Sequence, residues 1–191
     1  MKVERSNNTM DKRAKGVTVW FTGLSGAGKT TVALEVEKQL KERGYYTQRL
    51  DGDIVREKLT KDLGFTKEDR NKNIERNTFV AKILTDNDVI TLCSFISPYQ
   101  SARNYAREEI SEVGEFIEVF VNTPLEVCEE RDVKGLYKQA REGKIENFTG
   151  ISDPYEEPEN PDVELKTAQE TVEESAEIVI DHLEEQGILP E

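Results

Sequence analysis

Trp20-Phe21-Thr22-Gly23-Leu24-Ser25-Gly26-Ala27-Gly28-Lys29-Thr30-Thr31 fits the pattern G-x-x-x-x-G-K-[ST] from Gly23 to Thr30. Gly23, Gly26 and Gly28 allow backbone conformations that a Cβ forbids, so successive N–H groups can point at one anion. Leu24, Ser25 and Ala27 add further N–H groups to the cradle. Lys29 brings a full positive charge within reach of β- and γ-phosphates, and the Thr30 hydroxyl suits Mg²⁺. A helix begun at Lys29, Thr30 and Thr31 turns its N-terminus on the same phosphates. The motif therefore predicts a nucleoside triphosphate, with Mg²⁺, on a P-loop.

The flanking sequence agrees with that reading. Gly16 to Phe21 is β-branched and aromatic, which suits a buried strand. Ala33, Val36 and Leu40 recur at helical spacing, and Gly44 stops the helix. Tyr45 to Leu50 reads as a second strand ending at Asp51-Gly52-Asp53. Ligands of parallel α/β sheets sit at the carboxyl ends of strands, which places Asp51 and Asp53 beside the P-loop. Either aspartate also suits a turn or a helix cap, and Asp53 stands directly before the helical Ile54-Val55-Arg56. Thr66, with Asp69 three residues on, opens a helix over 67–87 whose buried side is read as Ile74, Val80, Ile83 and Leu84. Val89 to Ile96 is a nearly continuous apolar run, as a central parallel strand requires, and it ends at Ser97-Pro98. A helix over 99–112, a strand over 116–121 and a helix after Pro124 follow. From Arg131 to Pro161 the texture becomes basic and irregular, and it reads as a lid outside the core. Val172, Ala176, Val179, Ile180 and Leu183 mark a closing helix. The predicted architecture is a mostly parallel sheet with helices on both faces and a basic lid. It forms one domain over 17–187, after a lead-in of 1–16 and before a short end of 188–191.

Composition narrows the function. The chain has 191 residues and a net charge of −13. Residues 151–191 hold 14 acidic side chains against Lys166 alone, whereas residues 1–150 hold 25 of each sign. A balanced body with an acidic end argues against a nucleic-acid partner. No apolar run approaches membrane-spanning length, and the first fifteen residues lack the apolar core of a secretory signal. Cys93 and Cys128 lie in apolar runs without metal-ligand spacing, which suits a reducing cytoplasm. The single histidine, His182, falls on the closing helix, where a surface role is the simplest one.

A P-loop establishes triphosphate binding but not its use. A small-molecule kinase, a nucleotide-hydrolysing switch and a binding module without chemistry all compete. Thr66-Lys67-Glu68-Asp69 has the shape of a guanine-reading motif, but no strand precedes it. Nor does any hydrophobic strand end in D-x-x-G. The paired carboxylates after the second strand and the basic excursion favour a kinase.

Longer motifs make the reading specific. Leu50-Asp51-Gly52-Asp53 with Arg56 is followed by Asp62-Leu63-Gly64-Phe65 with Arg70 and Asn73-Ile74. Ser94-Phe95-Ile96-Ser97-Pro98 comes next, then Arg131-Asp132-Val133-Lys134-Gly135-Leu136-Tyr137, then Phe148-Thr149-Gly150-Ile151. Over residues 17–163 the chain resembles adenylyl-sulfate kinases. The resemblance implies transfer of the γ-phosphoryl of MgATP to the 3′-hydroxyl of adenosine 5′-phosphosulfate, in sulfate activation, by a homodimer. It implies that Asp53, Arg56, Phe65, Arg70, Asn73, Ile96, Ser97, Lys134 and Phe148 hold the acceptor, with Phe65 and Phe148 on either side of its adenine. It also marks Ser97 as a proposed phosphoserine. Lys29, Asp51 and Ser97 are the catalytic candidates, Asp51 as base or as part of the metal shell with Thr30. Three departures stand out: Asn147 where Gly is common, Ile54 where Asn is common, and Gln100 where Arg is often found.

Overall fold

In the computed structural model, which describes residues 14–190, five parallel strands form one sheet. They are β1 (Val17–Thr22), β2 (Thr47–Asp51), β3 (Ile90–Ser94), β4 (Glu115–Val121) and β5 (Val163–Leu165), in the order β2-β3-β1-β4-β5. Period-2 alternation divides their side chains between two cores. Val17, Val19 and Phe21 face one side with Ile90, Leu92, Ile117, Val119 and Val121. Helices α1 (Lys29–Glu42) and α7 (Val172–Glu185) cover that side. Trp20, Cys93, Phe95 and Phe116 face the other side. There they meet α3 (Lys67–Asp86) and α4 (Gln100–Ser111). The short helices α2 (Gly52–Lys58), α5 (Leu125–Arg131) and α6 (Leu136–Arg141) lie on the connections. β1 lies between β3 and β4, and helices cover the sheet on both sides there, so both of its faces are buried; this accounts for its unbroken apolar and β-branched sequence.

Several sequence expectations change in the folded chain. The buried stripe of α3 is Ile74, Asn77, Thr78, Ala81 and Thr85, while Ile83 and Phe79 are exposed. Small and hydroxyl residues let this helix approach the sheet closely: the Thr18 and Thr85 hydroxyls bond at 2.7 Å. A Cβ on Gly16 would meet the Thr85 carbonyl oxygen at 1.9 Å. Of the residues read as buried, Ile74 is buried, Val80 and Leu84 are half-buried and Ile83 is exposed, so hydrophobicity alone places the stripe off its centre. The strand β5 was not foreseen, because three residues carry too little pattern. Asp51, not Asp53, caps α2, accepting the Asp53 N–H at 3.0 Å. The segment read as lying outside the core belongs to it in part. Tyr137, Ala140 and Phe148 are buried with α1 and α7, and the Tyr137 hydroxyl donates to the Ser25 carbonyl at 2.8 Å. Beyond α7, Ile188 and Leu189 are also buried there. The lead-in lies outside the described residues except for 14–16.

An ion pair sits inside the second layer. Arg103 of α4, 1 % exposed, donates Nε–H to Glu118 of β4 at 2.8 Å. Its other nitrogens donate to the Ser97 and Glu156 carbonyls, each at 2.7 Å, and to the Gln100 side chain at 2.6 Å. One guanidinium thus ties β4, the end of β3 and the 155–156 segment together. Tyr155 stacks on Phe120, with ring centroids 6.1 Å apart, and shares a hydrogen bond of 2.8 Å with Thr22. Arg103→Met should lower unfolding free energy by about 3 kcal/mol, because the Ser97 and Glu156 carbonyls lose this donor and buried Glu118 keeps, among the described residues, only Arg107 as a cationic partner. Urea denaturation checks this, and a loss below about 1 kcal/mol would show the network to be incidental.

Candidate active site

The P-loop follows β1 at the carboxyl edge of the sheet. Gly23, Gly26 and Gly28 all have positive φ, as their roles require. A Cβ on Gly23 would stand 2.7 Å from the Val121 carbonyl oxygen. Ala27 is buried, and its carbonyl accepts from the Thr123 and Thr167 hydroxyls at 3.0 and 2.7 Å, which pins the loop to the ends of β4 and β5. Arg131 reaches over the same backbone, donating to the Gly26 carbonyl at 3.2 Å and the Thr167 carbonyl at 2.8 Å. Sequence reading placed Arg131 in the lid and gave Thr123 and Thr167 no role, since nothing local says that their elements meet the loop. Leu24 packs against the core, and Thr31 is exposed on the first turn of α1.

Lys29 folds back onto its own loop. Its ammonium donates to the Gly23 carbonyl at 2.9 Å and the Leu24 carbonyl at 2.7 Å. Burial pushes its pKa down to about 8, opposed by Cys128 and by Asp53 and Asp51. Thr30 Oγ1 donates to Asp51 Oδ2 at 2.8 Å, which leaves the lone pairs of the threonine oxygen free. Asp51 is buried and also accepts from Arg49 at 3.3 Å. Its register partner on β3 is Ser94, whose buried hydroxyl has no hydrogen-bond partner among the described residues. Oxygen donors of this kind fit Mg²⁺, which favours one or two protein oxygens plus substrate phosphates. Among the described residues, no cluster of three His, Cys, Asp or Glu forms an all-protein cage.

The acceptor candidates gather on the same edge. Arg56 of α2 lies over the Phe65 ring, 4.5 Å from its centroid, and Arg70 of α3 lies 5.5 Å from it. Arg70 is buried, and burial lowers its pKa. It donates to the Phe65 carbonyl at 3.0 Å and the Asn147 carbonyl at 2.6 Å. Asn147 has φ 56°, a left-handed conformation that Gly adopts freely and Asn tolerates. That explains why Asn can stand where the resemblance has Gly. The rings of Phe65 and Phe148 have different partners: Phe65 is half exposed beneath the guanidinium groups, and Phe148 packs edge-on against Tyr137 with centroids 5.0 Å apart. The Asn77 side-chain amide donates to the Asn73 carbonyl at 2.7 Å and lies 3.4 Å from the Asn73 side-chain oxygen, so the Asn73 side chain lies beside that of Asn77 on α3.

Lys134, between α5 and α6, is ion-paired with Asp53 of α2, and both side chains are largely exposed. Ile96 is half-buried, with its carbonyl accepting from Thr22 at 2.8 Å. Ser97 is buried at φ 40° and accepts from the Trp20 indole N–H at 3.1 Å. Neither cysteine is poised as a nucleophile, because both thiols are free, buried and raised in pKa by that burial.

The sequence pattern of the family described as adenylylsulphate kinase matches residues 15–166. The chain belongs to the adenylylsulphate kinase family. The adenylyl-sulfate kinase of Halothermothrix orenii is 74% identical over 178 residues, covering 93% of this chain and 95% of that protein. The adenylyl-sulfate kinase of Rippkaea orientalis is 59% identical over 177 residues, covering 93% and 96%. The Mycobacterium tuberculosis APS kinase, solved in complex with AMPPNP and APS, superposes with a TM-score of 0.87 at 47% identity, covering 90% of this chain and 99% of that one. As a member of the adenylylsulphate kinase family the chain is a phosphotransferase on the P-loop fold. Shikimate kinase from Aquifex aeolicus shares that fold, at 17% identity and a TM-score of 0.51. Among the described residues, no helix is long and apolar enough to cross a membrane.

Proposed function

We propose that the protein transfers the γ-phosphoryl of ATP directly to the 3′-hydroxyl of adenosine 5′-phosphosulfate, in the cytoplasm and as a homodimer. One observation carries the reading: the P-loop with Lys29 and the Arg56–Phe65–Arg70 cluster lie on one sheet edge, and Lys134 is ion-paired with Asp53 on α2 of that same edge. Gly23 to Thr31 take the triphosphate. Lys29 leaves its two carbonyls for the phosphates, exchanging neutral acceptors for anionic ones. Arg56 and Arg70 suit the phosphosulfate, since a guanidinium offers paired donors to tetrahedral anions. Phe65 and Phe148 take the adenine, as aromatic faces do for any base. Asp53, Asn73 and Ile96 complete the acceptor wall. Thr30 and the Asp51 shell would hold Mg²⁺, which would supply neutralising charge to the triphosphate. Such transfer rests on alignment and electrostatics and needs no covalent relay. Ser97 therefore contacts the acceptor and is not itself phosphorylated. The test is ADP release with ATP, Mg²⁺ and adenylyl sulfate, with AMP and gluconate as control acceptors. Equal turnover with gluconate would sink the acceptor assignment.

Lys134 closes the lid over the acceptor, and its exchange from Asp53 to the incoming anion is the closing contact. Lys134→Ala should weaken adenylyl sulfate roughly ten- to a hundredfold and ATP hardly at all, because a charge-assisted hydrogen bond contributes ~1.5–3 kcal/mol. Separate calorimetric titrations decide; equal losses for both ligands would make Lys134 a general lid residue.

A further inference from the structure

The single tryptophan of the chain lies in the middle of β1 and is fully buried. Phe95 and Phe116 hold its ring, with centroids 5.1 and 5.9 Å away. It nevertheless spends its one polar atom on Ser97, donating Nε1–H to Oγ at 3.1 Å. An indole N–H can only donate, whereas a serine hydroxyl has one proton and two lone pairs. The contact therefore has one polarity: Ser97 Oγ accepts from Trp20, and its own proton must point elsewhere. The other partner in range is the Phe95 carbonyl at 3.5 Å, too long to hold that proton firmly. The backbone is fixed as well. Ser97 has φ 40°, a conformation that costs a non-glycine residue ~1–2 kcal/mol. The buried Arg103 guanidinium grips its carbonyl at 2.7 Å.

We propose that Trp20 is a positioning residue that holds Ser97 as a hydrogen-bond donor to an anionic oxygen of the acceptor, and so as a poor nucleophile. One lone pair of Oγ is engaged by the indole, and the outward proton is offered to the phosphosulfate. The inference rests on the reading above that Ser97 contacts the acceptor. It adds that β1 sets up both halves of the site: the P-loop from its end and the acceptor serine from its side chain.

The experiment is a double-mutant cycle on the whole enzyme, with Trp20→Phe, Ser97→Ala and the two combined. A net hydrogen bond of ~0.5–1.5 kcal/mol corresponds to a roughly two- to tenfold change. Each single variant should raise KM for adenylyl sulfate by about that factor, with KM for ATP unchanged. The double variant should be no worse than Ser97→Ala alone. Multiplying effects would overturn the proposal, as would a normal acceptor KM in Trp20→Phe beside a raised one in Ser97→Ala. A normal acceptor KM in Ser97→Ala would instead overturn the reading of Ser97 as an acceptor contact. If thermal melting shows that Trp20→Phe is unfolded, biosynthetic replacement of the one tryptophan by benzothienylalanine decides. This substitution exchanges N–H for sulfur in the same ring shape. Raised KM for adenylyl sulfate at an unaltered melting temperature is then required, and an unaltered KM refutes the proposal.

Discussion

Lys29→Ala is expected to slow phosphoryl transfer by ~10²–10³-fold, the scale seen when one preorganised donor to developing charge is removed. The side chain is buried beside the loop, and its ammonium waits on the Gly23 and Leu24 carbonyls. Truncation removes the one full positive charge aimed at the transferring group from within the loop. It also leaves those two carbonyls without their donor. Single-turnover measurement with saturating ATP isolates the chemical step, and near-normal turnover would remove this loop from the chemistry. The same residue sets a pH dependence. With its pKa lowered to about 8 by burial, Lys29 is mostly cationic at neutral pH and loses its proton as pH rises through 8. Phosphate oxygens favour the cation, so bound ATP raises that pKa. ATP affinity should therefore fall above pH 8. Binding there should take up a proton, visible by calorimetry in buffers of different ionisation enthalpy. Constant affinity from pH 7 to 9.5 would contradict it.

Asp51→Asn is expected to cost ~10²–10⁴-fold in rate, the range for a group that assists proton transfer or charge. Both carboxylate oxygens are already used, Oδ1 by the Asp53 N–H and Oδ2 by Thr30 and Arg49. An amide has one acceptor oxygen, so it must give up either the cap or the threonine. Losing the cap destabilises the start of α2 by about 1 kcal/mol. Losing the threonine bond removes the acceptor that holds the Thr30 proton away from the cation, and an amide N–H facing Thr30 would occupy a lone pair that Mg²⁺ needs. If Asp51 organises the metal shell, the Mg²⁺ concentration for half-maximal rate rises together with the loss. If it is the base, the rate falls at unchanged Mg²⁺ dependence. Ser97→Ala should cost far less than either. Rapid quench with γ-labelled ATP alone checks the order: acid-stable label on Ser97, chased into product at the turnover rate, would replace direct transfer by a covalent relay.

The sequence by itself determined whatever depends on local chemistry. Gly23 to Thr30, between a strand pattern and a helix pattern, read as a phosphate loop because three glycines, a lysine and a threonine meet its needs within eight positions. The nearly continuous apolar run over 89–96 announced a strand buried on both faces. Thr66 capped its helix as its spacing to Asp69 requires. Motifs from Asp51 to Phe148 named the family before any geometry was known. What only the tertiary structure decided lies between elements. Which aspartate caps α2 depends on where β2 ends, not on the Asp-Gly-Asp triplet. The face of α3 that packs is the one whose small and hydroxyl residues allow close approach, and this mismatches its hydrophobic periodicity. Arg131, Thr123 and Thr167 meet the P-loop only because β1, β4 and β5 are neighbours. Trp20 and Ser97, 77 positions apart, become partners for a similar reason. Strands β1 and β3 lie side by side, and the chain must turn through a left-handed residue as it leaves β3. Spacing carries no trace of that pairing, because a hydrogen bond across a sheet is set by register and by the chain's path beyond the strand.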